Sequence, residues 1–423
     1  MHRIVAAMLA ATFCASVAQA QTSPPSTFQI ANEPLTLDKA IELATGAAPG
    51  LEAASAGIRA AEAQRRVAGL RPNPSVAVET ENILGSGQFN GVASAETTAG
   101  LSMPLELGGK RRARIGLAEA QTNQARLANT VALADLRLRV TQAYIEATAA
   151  DRRLAVTMEQ RDIALESLRV ANARVRAGRA SPLEEQRADV VRINAETALG
   201  QAERMAALAQ ANLGRLIGMV PGALDRAWLD TIQAFGPQLT DGADGTLALA
   251  LAEAEVSTAN AQVGLARSQR VPDLTLSASA RRLEASNDVA AVFGVSIPLP
   301  VFNSGRANLD VARAQQDQTL ALRRVALLDA QAAIASAQTE VANAAANARA
   351  AAGPALAAAQ EAARIARIGY REGKFGQLDL LEAERTLAQT KASAIDALVA
   401  YHDAQARLER LTARAPSNPE DRP

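Results

Sequence analysis

The sequence predicts a mainly α-helical chain with a membrane β component, built as a strand-to-long-helix unit that occurs twice. Three observations carry this reading. Residues 100–121 (GLSMPLELGGKRRARIGLAEAQ) and 294–315 (GVSIPLPVFNSGRANLDVARAQ) align without gaps at an offset of 194, with nine of 22 positions identical. In each copy an alternating apolar run passes through a proline and a short turn into an Ala/Arg/Gln-rich helical stretch; such alternation sends successive side chains to opposite faces of a strand. Residues 113–177 contain no proline and one glycine, Gly116, so 65 residues form one predicted helix. At ~1.5 Å per residue it spans about 100 Å.

The N-terminus reads as an export signal. Arg3 precedes an apolar run over residues 4–17, and Ala18-Gln19-Ala20 supplies a small-x-small cleavage site, so residues 1–20 are the expected signal peptide. Cys14, the only cysteine, lies inside it behind Phe13. A lipidation site needs a small residue there, so no lipid anchor is expected. Residues 21–34 are a flexible, Pro/Ser-rich lead-in.

The first repeat covers residues 35–220. Thr36 is an N-cap candidate for a short helix over 37–44, glycines at 46 and 50 break it, and a second helix over 51–70 stops at Arg71-Pro72-Asn73-Pro74. The strand over 75–81 sets Val76, Val78 and Thr80 against Ala77, Glu79 and Glu81. After a Gly/Ser/Asn-rich loop over 82–94, a second run places Ala99, Leu101 and Met103 on one face. The long helix carries two seams, one through Leu127, Val131, Ala134, Leu138, Thr141 and Ile145, the other through Leu133, Val140 and Ala147. Two seams imply two neighbours, as in a ring of helices. A turn at 176–182 leads into a return helix over 183–216.

Residues 221–245 form a Gly/Pro/Asp-rich linker that holds the only tryptophan, Trp228. The second repeat, 246–412, keeps the same order: a helix over 246–269, strands over 274–280 and 291–299 around a loop at 282–288, then a long helix with Leu320, Leu327, Ile334 and Val341 on one seven-residue seam. A kink is expected at Gly353-Pro354. The return helix ends near Leu411, and residues 413–423 read as a disordered tail.

Composition narrows the function. Forty-four basic residues balance 44 acidic ones, so net charge suggests no nucleic-acid partner, and 3% aromatics point to helices packed through small residues. Beyond residue 20 no stretch approaches the ~18 apolar residues of a membrane helix, so any crossing must use strands. Four strands of near-spanning length cannot close alone, because known barrels start at about eight. Symmetric association is the remedy, and three chains of four strands supply twelve.

No catalytic constellation is present and no cofactor is expected. His402 is the only histidine beyond His2, and a lone helical histidine is expected at the surface rather than as a ligand. Without cysteine or a histidine cluster, no tight soft-metal site is expected. Gly108-Gly109 lacks the phosphate-loop spacing and reads as a turn.

Pro72-Asn73-Pro74, the loop ENILGSG at 81–87, Ala95-Glu96-Thr97 and above all LELGGKR at 105–111 resemble the TolC superfamily of outer-membrane efflux factors. The ELGGKR segment is most similar to its cobalt–zinc–cadmium resistance (CzcC-type) branch. The resemblance extends from Leu35 to about Leu411. It implies a homotrimer, a 12-stranded barrel in outer-membrane lipid, a continuous α-helical barrel through the periplasm, and a tip docked to a periplasmic adaptor and an inner-membrane RND pump. The same fold serves drug, solvent and polypeptide export, so these remain alternative cargoes. A periplasmic adaptor would instead show one helical hairpin between compact β domains.

The tips are the expected functional ends. Long helices must reverse at Gly178 and Gly373, where glycine supplies left-handed φ at little cost. Gly178, Arg179, Ala180 and Ser181, with Gly373, Lys374, Phe375, Gly376 and Gln377, form the expected docking tip. The resemblance further implies an acidic ring at the pore constriction, carried here by Asp379 and Glu382, one helical turn apart. The first repeat offers Glu184 and Arg187 at the same offsets from its glycine. Tyr370 matches a tip-closing tyrosine of the family, whereas Phe375 stands where its basic partner is expected.

Overall fold

The computed structural model describes residues 34–232 and 242–416. The expected signal peptide with Cys14, the lead-in up to residue 33, linker residues 233–241 and tail residues 417–423 lie outside the described residues.

The first helix, α1 (Leu37–Ala47), is capped by Thr36, whose hydroxyl accepts the Lys39 N–H. Helix α2 (Pro49–Ala68) opens on a proline, whose missing N–H costs nothing in a first turn. The prolines at 72 and 74 then force extended backbone into β1 (Ser75–Glu81). The sheet continues with β2 (Glu96–Leu105), β3 (Leu274–Leu283) and β4 (Asp288–Ser296), antiparallel throughout in the order β1-β2-β3-β4. Both β3 and β4 reach further toward their shared turn than the alternation suggested, and β4 stops before Pro298 rather than at Leu299.

Register decides which side chains share a face. Val76, Leu101, Ala278 and Phe293 form one row across the sheet, and Met103, Leu276 and Val295 another on the same face. The opposite face carries the rows Ser75–Ser102–Ser277–Gly294 and Glu79–Thr98–Arg281–Ala290. There Arg281 pairs with Glu96 at 2.8 Å and donates to the Thr98 hydroxyl at 3.0 Å. This polar face is also the crowded one: a Cβ built on Gly100 would stand 2.4 Å from Ser279 Cβ, and one on Gly294 2.5 Å from Ser277 Oγ. Side chains converge in this way on the inside of a curved sheet. The large apolar residues stand on the other side, with Val76 76%, Phe293 81% and Val295 67% exposed.

Helix α3 (Lys110–Arg176) is unbroken over 67 residues and α4 (Pro182–Ile217) returns along it. The second repeat supplies α5 (Leu247–Ser268), α6 (Arg306–Ala350), α7 (Leu356–Arg371) and α8 (Gln377–Thr412). Gly353-Pro354 falls in a single π turn, Ala351–Ala355, between α6 and α7, where the proline's missing N–H is absorbed. The expected two seams of α3 enter two different clusters. Ile145 and Ala149 pack with Ile334, Val341 and Leu398 of α6 and α8, whereas Val140, Tyr144 and Ala147 pack with Ala209 and Leu213 of α4 and Ala40 of α1. Beside the sheet α3 touches α2 and α5, and α5 touches α6, so the helix order α2-α3-α5-α6 repeats the strand order. Alanine dominates the buried apolar residues, which lets helix axes approach closely with few aromatics.

Two expectations are corrected. His402 is buried, not superficial: its ring stacks on Trp228 at 4.3 Å and its Nε2 lies 3.0 Å from the Leu229 carbonyl. Linker residues Trp228–Asp230 form the turn that covers it, and Trp228 also meets Tyr144 edge-on. Burial pushes the imidazole below its ordinary value. It likewise pushes the Tyr144 phenol up to about 12, with the hydroxyl donating to the Leu35 carbonyl. The start of the tail is also held: Arg414 bridges to Thr246, and the Ala415 N–H donates to the Gly245 carbonyl.

Candidate functional site: the helical tips

Both long-helix reversals use the same hydrogen-bonded turn. After α3, the Arg179 N–H donates to the Arg174 carbonyl at 2.9 Å and the Gly178 N–H to Val175 at 3.0 Å, with Gly178 at φ +67°. After α7, Lys374 donates to Gly369 at 2.8 Å and Gly373 to Tyr370 at 3.1 Å, with Gly373 at φ +74°. This is the Schellman arrangement, in which a left-handed residue satisfies the last helical carbonyls. Ser181 then caps α4, its hydroxyl accepting the Leu183 N–H. Gly376 occupies the corresponding place before α8, and its N–H is taken by the Asp379 carboxylate at 2.9 Å. Gly178, Arg179, Ser181, Lys374, Phe375 and Gly376 are exposed, while Ala180 and Gln377 are half-buried.

The residues expected at the constriction separate into two groups. Tyr370 and Glu184 meet each other within one chain: the phenol donates to the Glu184 carboxylate at 2.8 Å. The Arg174 guanidinium lies 4.9 Å from the Tyr370 ring centre and 3.8 Å from Glu184. Gln377 donates to the Glu184 carbonyl at 3.1 Å. Burial, then the carboxylate partner, raises the Tyr370 phenol above its ordinary value. The two hairpins of one chain are therefore fastened together by residues 186 positions apart. Glu184 is only 16% exposed and faces this clamp.

Asp379 and Glu382 are both exposed and have no ion pair among the described residues. Asp379 spends one oxygen on the α8 cap, while Glu382 lines a groove of about 790 Å³ between α3, α4 and α8, with Glu159, Arg385 and Lys391. Arg187 is exposed on α4. Sequence reasoning missed Arg174 and Gly369. The Phe375 ring lies on Gly369 so closely that a Cβ there would stand 2.1 Å from it. A glycine four residues before the turn glycine was the available signal. Among the described residues no cluster of His, Cys, Asp or Glu could hold a metal ion, and no helix is long and apolar enough to cross a membrane.

The chain is 32% identical over 420 residues to the cobalt-zinc-cadmium resistance protein CzcC of Cupriavidus metallidurans, covering 97% of this chain and 98% of that protein. It is 29% identical to the nickel-cobalt-cadmium resistance protein NccC of Alcaligenes xylosoxydans xylosoxydans, over 63% of this chain and 61% of that one. A membrane protein from Pseudomonas aeruginosa has a similar fold, with a TM-score of 0.76, 22% identity and 90% of each chain covered. Residues 40–219 and 244–414 match the outer membrane efflux protein family, one segment for each strand-and-helix repeat, and the chain belongs to that family.

Proposed function

We propose that the chain is the passive outer-membrane exit duct of a tripartite RND-type efflux system and that it exports divalent heavy-metal cations. One observation supports this above the others: a four-stranded sheet with both edges open continues, in the same lateral order, into four helices. Edge strands β1 and β4 each present an unpaired row of backbone groups, which in a membrane must be satisfied by another strand. Three copies pairing β4 of one with β1 of the next close twelve alternating strands without a free edge, and the helices beneath form the periplasmic tunnel. In this reading Val76, Val78, Leu101, Met103, Leu274, Leu276, Phe293, Val295 and Ile297 face lipid. Glu79, Glu81, Thr275 and Ser296 face the lumen, since a carboxylate in lipid is expensive.

The cargo follows from the likeness to CzcC and NccC. With no metal-binding cluster among the described residues, selection falls to the pump and the duct supplies the path. Three copies of Asp379 and Glu382 make the narrow end electronegative and favour cations. The six tips around Gly178 and Gly373 dock the periplasmic adaptor.

Deleting the gene in a strain that carries its pump and adaptor should lower tolerance to cobalt, zinc or cadmium and raise periplasmic metal, with the plasmid-borne gene restoring both. Unchanged metal tolerance combined with lost drug tolerance would reassign the cargo. Ala180→Trp, at the tip, should impair efflux without lowering the amount of trimer. Full efflux in that variant would count against docking at the first hairpin.

A further inference from the structure

The two strand-to-helix joints, so alike in sequence, differ in three dimensions. In the first, the junction is sealed. The Arg114 guanidinium holds the Glu106 carboxylate, with Nη2 3.0 Å from Oε2. Asp273 accepts the Leu107 N–H at 3.1 Å and pairs with Lys110 at 2.8 Å. Gly108 lies so close to Val271 that a Cβ there would stand 2.6 Å from it. In the second joint the strand ends at Ser296 and the α6 cap is Gly305, so residues 297–304 form a longer loop. Leu299 is 80% exposed, Val301 75% and Phe302 102%. The loop carries no ionisable side chain, and its Asn303 carboxamide oxygen accepts the Gly305 N–H at 3.0 Å.

Three adjacent large apolar side chains in open solvent are costly, roughly 25 cal/mol for each Å² left in water, and such a patch marks a contact surface. Two features identify what covers it. Leu299 and Val301 follow closely in the chain on Phe293 and Val295, the outward apolar row of β4, past a turn in which the Val301 N–H donates to the Leu299 carbonyl at 2.9 Å. Behind the loop lies a cavity of about 440 Å³ whose far wall is Gln269, Arg270 and Asn308. The Arg270 side chain rests on Gly305, where a Cβ would stand 3.0 Å from its Cγ, and its guanidinium has no carboxylate partner among the described residues. An apolar lip beside an unpaired guanidinium and two carboxamides matches a molecule with acyl chains below a phosphate.

We infer that residues 297–304 with Arg270 form a glycerophospholipid site at the helix-side edge of the membrane, Leu299, Val301 and Phe302 dipping among acyl chains and Arg270 taking the phosphate. The site rests on the outer-membrane placement proposed above. It supplies on one loop per chain the interfacial anchor that the strands, poor in Trp and Tyr, do not provide.

The test uses the full-length trimer in vesicles of phosphatidylethanolamine and phosphatidylglycerol, in a Cys14→Ala background, with nitroxides at Phe302→Cys and, as reference, Phe293→Cys. These side chains are exposed, so folding is not at issue. Both probes should be reached by oxygen and shielded from a water-soluble relaxant, with position 302 nearer the headgroups. Arg270→Gln should reduce the preference of the 302 probe for phosphatidylglycerol over phosphatidylethanolamine about fivefold, the worth of one basic residue at an anionic surface. A lipid-exposed 293 with a water-exposed 302 overturns the site alone, whereas water exposure at both removes the membrane placement as well. Disulfide formation between Phe302→Cys of one copy and Leu70→Cys of the next overturns it in favour of an inter-subunit contact, and an unchanged lipid preference in Arg270→Gln overturns the headgroup assignment.

Discussion

Tyr370→Phe isolates the clamp between the two hairpins. The substitution deletes one oxygen and leaves the ring, so the packing of Tyr370 on Ala366 and Leu380 survives and no cavity opens. What is lost is a 2.8 Å hydrogen bond to a carboxylate that is 16% exposed. A hydrogen bond to a charged group contributes about 1.5–3 kcal/mol. Arg174, at 3.8 Å, is too far to replace it with a full hydrogen bond but offsets part of the charge. The lower figure therefore applies. About 1.5 kcal/mol corresponds to a roughly tenfold larger population of tips with the hairpins apart. Hydrogen exchange by mass spectrometry on the detergent-solubilised trimer reads this directly. Peptides covering the ends of α3 and α7 and the starts of α4 and α8 should exchange about tenfold faster, with the sheet and the Trp228 region unchanged. Tyr144→Phe, which removes the hydrogen bond to Leu35, should accelerate the Trp228 region and leave the tips alone. Native exchange at the tips of Tyr370→Phe would refute the clamp, since the ring alone would then hold the hairpins together.

Three further outcomes are expected. In intact outer membranes and a Cys14→Ala background, a water-soluble thiol reagent should reach Glu79→Cys through the lumen and spare Val295→Cys; the reverse pattern would invert the sheet. Trimers in planar bilayers should be cation-selective and move toward neutral selectivity in Asp379→Asn/Glu382→Gln, which keeps an oxygen to cap Gly376; unchanged selectivity would leave the pair an ordinary charged helix face. His402 sets an acid limit. Its imidazole is held below the ordinary 6.5 by burial, with the hydrogen bond to the Leu229 carbonyl, then Asp230, opposing. The neutral ring therefore contributes stability above 6.5, and that contribution is lost as pH falls through the folded value. Thermal unfolding should drop more between neutral pH and about pH 5 in the parent protein than in His402→Gln. Equal slopes would show that His402 does not set the acid limit.

The sequence by itself determined whatever depends on residues close in the chain. Alternation in SVAVETE laid out β1 and its faces, because side-chain direction has a period of two whatever the strand pairs with. Absence of proline made α3 one helix, the Gly353-Pro354 step located the interruption, and Gly178 and Gly373 marked the turns because only left-handed backbone closes them. The two seams of α3 were also legible, since each is a heptad pattern within one helix. Tertiary structure decided everything that joins distant segments. Glu184 and Asp379 look equivalent by offset from their glycines, yet one is taken by a tyrosine 186 residues away and the other caps its own helix. His402 reads as a surface residue until residues 228–230, from the linker, fold over it. The two joints share nine residues in 22, and still one is locked by Asp273, just before β3 and more than 160 positions on, while the other stands open. Local periodicity fixes which face of an element is apolar. Which neighbour that face meets depends on contacts whose partners no window of the sequence contains.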